Sequence, residues 1–123
     1  MNSPPPEAGH DRKALNEGIE KVFMDCAGYA ASIRTHYQTG SGTIRDLFEL
    51  FYFNFAVLFD LTSDLSEMSA ATEATQGVQN WLDLPPVKKV GSEMDERCKE
   101  GLRLFRLYKI ALGKNGILTL PSG

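Results

Sequence analysis

The chain has 123 residues, of which 42% are hydrophobic and 24% charged, with a formal net charge of −3. That is enough for one ordinary domain with a modest core, and it argues against a second. A net acidic chain lacks the excess Lys and Arg that phosphate neutralisation needs, so nucleic acid is not an expected partner of the whole molecule.

The opening MNSPPPEAGHD holds three consecutive prolines and little to bury, so residues 1–10 are expected to form a disordered or extended tail. From Asp11 to about Thr39, Leu15, Ile19, Val22, Cys26, Tyr29, Ile33 and Tyr37 recur at alternating steps of four and three. This spacing predicts a helix with one narrow buried seam. The glycines of QTGSG stop it, and His36 in its last turn suits a helix C-terminus.

Thr43 and Asp46 have capping-box spacing and open a second helix, whose short connection implies an antiparallel neighbour. The seam through Ile44, Leu47, Phe51, Leu58, Leu61, Leu65 and Met68 predicts that it continues into the mid-seventies, with DLTSD around Thr62 as the place for a break. The segment from Met68 to Gly91, with Gly77 and Pro85-Pro86, reads as a connector. Ser92 and Asp95 repeat the capping-box spacing and lead a third helix through about Leu112. Residues 113–123 are expected to be a flexible or short extended tail. The fold class is therefore all-α, with three principal helices over residues 11–112. The first two form a long antiparallel hairpin, and dimerisation completes the bundle.

The second helix carries the most informative stretch, LFELFYFNFAVLFDL, Leu47 to Leu61, with five of the chain's seven Phe. It is too short and too charged to cross a membrane. Its only wet wedge holds Asp46, Glu49 and Asp60, extended by Asp64 and Glu67. Beside the seam runs a second apolar stripe, Phe48, Tyr52, Phe55 and Phe59, which exceeds what a three-helix monomer readily covers. These four residues are accordingly expected to form a homodimer interface, or to receive another protein. Asn54 lies in the apolar arc, where a register-setting polar residue is the expected role. The alternative makes Phe51, Asn54 and Phe55 the lining of an apolar ligand pocket.

Chemistry is sparse. No phosphate-binding, dinucleotide, HExxH or nucleophile-elbow motif is present, and His10 and His36 are the only histidines. No catalytic residue, cofactor or metal is expected, and the carboxylates of Asp60, Asp64 and Glu67 read as a solvated face. Cys26 and Cys98 fall on apolar seams without CxxC spacing, which predicts buried free thiols in a reducing cytoplasm. Residues 43–76 carry six acids against one base, and residues 97–114 carry six bases against one acid. Lys99, Arg103 and Arg106 share a stripe expected to meet the acidic helix within or between protomers. A nucleic-acid-associated regulator using that stripe is the second alternative. The leading expectation is a non-enzymatic, adaptor-like helical protein acting as a homodimer.

Overall fold

The structure, a computed structural model, describes residues 7–119, and every regular element among them is helical. Four α-helices follow in order: α1 (Glu7–Thr39), α2 (Ile44–Thr62), α3 (Thr72–Leu82) and α4 (Ser92–Lys114). A 3-10 turn, Ser66–Met68, links α2 to α3. The α1–α2 hairpin is the most extensive pairing, and α3 packs chiefly on α4.

Glu7 to His10, assigned from sequence to the tail, already belong to α1, because Glu and Ala directly after a proline run suit a first helical turn. The rest of that tail lies outside the described residues. Ile19, Cys26 and Ile33 of the expected seam are fully buried, yet the positions between them are filled by Phe23 and Ala30. Val22 and Tyr29 are only half-buried. The buried face is rotated toward α4, whose Phe105 stacks on Phe23 with ring centroids 5.5 Å apart. Gly40 closes α1 at φ +79°, donating its N–H to the His36 carbonyl at 2.7 Å, a left-handed cap that glycine adopts without strain.

Helix α2 ends at Thr62 and does not reach the mid-seventies. Thr62 is completely buried; its hydroxyl donates to the Leu58 carbonyl at 2.7 Å and sits 2.5 Å from the Tyr108 hydroxyl. Leu65 is then extended and the chain turns. The break falls within DLTSD because a polar side chain bonds its own helix there and is held by α4.

The largest departure is α3, where a connector was expected and the helix count was three. Val78 and Trp81 bury one face of this 11-residue helix, flanked by half-buried Ala71, Ala74 and Leu82. Gly77 does not break it. A β-carbon there would lie 3.1 Å from Leu104 Cδ2, so the glycine lets α4 approach.

Neither expected capping box forms. Thr43 is the N-cap of α2 without a side-chain bond, and the N-cap of α4 is Gly91, one residue before Ser92. The Asp95 carboxylate instead accepts the Tyr37 hydroxyl at 2.6 Å and ties α4 to the end of α1.

The described part of the expected C-terminal tail is ordered against the core. Gly116, at φ +79°, donates to the Gly113 carbonyl at 3.2 Å, and Ile117 donates to Leu112 at 2.9 Å. This is a Schellman closure with its apolar contact, and Ile117 and Leu118 are buried. Residues 120–123 lie outside the described residues.

Candidate functional site

The aromatic stripe meets the chain's own helices. Phe48, Phe55 and Phe59 are buried, and Tyr52 is half-buried with its hydroxyl donating to the Leu82 carbonyl at 2.6 Å. Trp81 of α3 supplies most of the cover. Its ring lies 5.5 Å from Tyr52, 5.8 Å from Phe55 and 6.1 Å from each of Phe48 and Phe51. Tyr108 of α4 covers Phe59 at 5.7 Å. The four residues expected at a dimer interface thus face α3 and α4, the former having been taken for a loop.

The suggested pocket is not assembled. Phe51 and Phe55 are fully buried in the aromatic core, whereas half-buried Asn54 lies off it, its Nδ2 donating to the Leu50 carbonyl at 2.7 Å. An amide satisfied by its own helix needs no partner from a ligand.

A different apolar face is left open. Leu47, Leu50, Asn54, Val57 and Leu61 follow one another by three, four, three and four residues along α2, a heptad spacing that places them on one side. Leu50 is 42% exposed and Val57 46%; Phe53, at the edge of the same side, is 62% exposed. Half-buried Leu15, Val22 and Tyr29 repeat every seventh residue along α1. They lie roughly 100° or more around that helix from Ala27 and Arg34, which face α4. The two rows therefore flank the α1–α2 crevice on the side away from α3 and α4.

The charged residues have other neighbours than expected. Lys99, Arg103 and Arg106 are exposed on α4, and Arg103 pairs with Glu100 of its own helix. Among the described residues no acid of α2 pairs with a base of α4. Phe55 stands 5.4 Å from Phe105 and 6.1 Å from Tyr108, so the two helices meet through apolar faces and turn their charges outward. Glu67 pairs with Arg12 of α1. Hydrogen bonding from its own backbone first, then the Arg12 guanidinium, holds its carboxyl below the usual range.

Both cysteines are free and completely buried. Burial pushes the Cys26 thiol well up and the Cys98 thiol to about 11. Such thiols are poor nucleophiles. The His36 ring Nδ1 lies 3.0 Å from the Ser41 carbonyl and 3.1 Å from that of Gly42, bridging the α1–α2 turn when it carries the proton. Among the described residues no group of three or more His, Cys, Asp or Glu side chains is placed to hold a metal ion, and no helix is long and apolar enough to cross a membrane.

Two features escaped the sequence reading. One is Trp81, legible in the spacing of Ala74, Val78 and Trp81 but discounted because of Gly77. The other is Arg34, distant in sequence from the α4 bases yet sharing a groove with them. The chain has no significant match among protein-family models, curated proteins or solved structures.

Proposed function

We propose that this chain is a non-enzymatic helical interaction module that self-associates through the outer face of the α1–α2 hairpin. The observation that carries this reading is the open heptad row Leu47, Leu50, Asn54, Val57 and Leu61, with Phe53 exposed at its edge. Apolar residues at this spacing gain by packing against a matching helix, and a single Asn in such a row favours one register over others. A two-fold pair meets the same need on both copies at once, which is the commonest solution for a surplus apolar face. The buried free thiols suit a reducing compartment such as the cytoplasm.

Size-exclusion chromatography with light scattering at micromolar concentration tests the reading. The wild-type chain is expected to run at twice its 13.6 kDa mass, and the double variant Phe53→Glu, Val57→Glu as a helical monomer. A strictly monomeric wild type would sink the homodimer.

A further inference from the structure

The basic side of α4 has a second wall that its own sequence does not announce. Arg34 of α1 faces Arg103, Arg106 and Lys109 of α4 across a groove with a cavity of about 560 Å³, floored by Leu102 and Phe105. Arg103 already pairs with Glu100, whereas Arg34, Arg106 and Lys109 form no ion pair among the described residues. Arg34 and Leu102 also line the adjoining cavity, which continues past Lys99 to Tyr37, Asp95 and Glu96. The two cavities are halves of one furrow between antiparallel helices. From Lys109 to Asp95 it runs about 20 Å at 1.5 Å per helical residue, long enough for about six residues of extended chain.

We propose that this α1–α4 furrow binds an acidic peptide segment of a partner protein, its carboxylates meeting Arg34, Arg106 and Lys109 and its apolar side chains resting on Leu102 and Phe105. Charge complementarity selects the occupant: four cations unpaired among the described residues, Arg34, Lys99, Arg106 and Lys109, and the paired Arg103 line the furrow around its apolar floor. A peptide alternating acidic and apolar residues supplies both kinds of group. Asp95 and Glu96 at the far end repel a carboxylate, so the acidic part of the segment is held toward Lys109. The inference rests on reading the chain as an interaction module, on a face distinct from the self-association surface.

A fluorescein-labelled peptide of alternating Glu and Leu, titrated with the full chain and followed by anisotropy, provides the test. Binding should weaken at least tenfold in the double variant Arg34→Glu, Arg106→Glu and fall as salt screens the contacts. A matched Lys and Leu peptide should not bind. The Phe53→Glu, Val57→Glu chain should bind undiminished, which separates the furrow from self-association: wild-type monomers that still bind the acidic peptide would overturn only the homodimer. Absence of acidic-peptide binding, or binding indifferent to charge reversal, overturns the furrow. So does tighter binding of a single-stranded oligonucleotide that is lost in the same variant, which would make phosphate the ligand.

Discussion

Trp81 rests directly on Gly101. A methyl group added to that glycine would lie 3.0 Å from Cε2 of the indole and closer still to Cζ2, while the indole N–H donates to the Arg97 carbonyl at 3.1 Å. The missing side chain on α4 is what lets α3 lie down over the aromatic face of α2.

Gly101→Ala is therefore expected to destabilise the fold by about 1–3 kcal/mol despite the better helix propensity of alanine, because the indole must shift out of a packed core. Gly28, exposed in mid-α1 with nothing near its missing β-carbon, provides the opposite case. Gly28→Ala should stabilise by about 0.5–1 kcal/mol. Urea unfolding of the two variants checks both signs; equal effects would mean that Trp81 does not sit there.

The two apolar sides of α2 should respond differently to substitution. Phe48→Ala removes a ring buried against Trp81 and should cost about 3–5 kcal/mol, whereas Phe53→Ala should cost under ~0.5 kcal/mol in the monomer and weaken only self-association. Dilution-dependent light scattering alongside thermal melts separates the two quantities.

Reversing Arg106 and Lys109 to Glu should leave stability within about 0.5 kcal/mol, since both are exposed and unpaired among the described residues. The sequence alone suggested that reversing Arg103 and Arg106 to Glu would weaken folding or association, through contact with the acidic helix. A large loss would reinstate that contact.

Alkaline pH should unfold the chain in a defined window. Burial raises the Cys98 thiol from 9.0 to about 11 and the Tyr108 hydroxyl from 10.0 to about 12. Between the ordinary and raised values the unfolded chain has lost protons that the folded chain keeps, so stability falls as pH rises. The contribution of these two groups is fully present below about pH 9 and is lost through about pH 12, and Cys26, raised further by burial, carries the loss to higher pH. Tyr108→Phe should flatten the upper part of this curve, at a constant cost of about 1 kcal/mol for the lost Thr62 contact. An unchanged curve in Tyr108→Phe and Cys98→Ala would refute the assignment.

Much of the fold was legible from one-dimensional pattern. Ile19, Cys26 and Ile33 of the α1 seam, the glycine stop at Gly40, the antiparallel turn into α2 and the position at which α4 starts follow from spacing and turn chemistry, although neither expected capping box forms. These depend on neighbours along the chain. The all-helical class follows from the same signals. The break at Thr62 was legible as a weak point but not as an end, because what ends the helix there includes the Tyr108 hydroxyl of α4.

What covers the aromatic face of α2 could be decided only in three dimensions. Periodicity gives the angle of a side chain about its own helix and says nothing of which helix lies opposite. Trp81 reaches Phe48 and Phe55 only because Gly101 leaves space on a third helix, and that coincidence joins residues 20 or more positions apart. For the same reason sequence found surplus apolar surface on α2 but assigned it to the wrong side: α3 and α4 bury Phe48, Phe55 and Phe59, and the row through Leu50 and Val57 stays open. Charge followed the same rule. Composition showed an acidic and a basic segment, but an aromatic core stands between them, so their charges point outward.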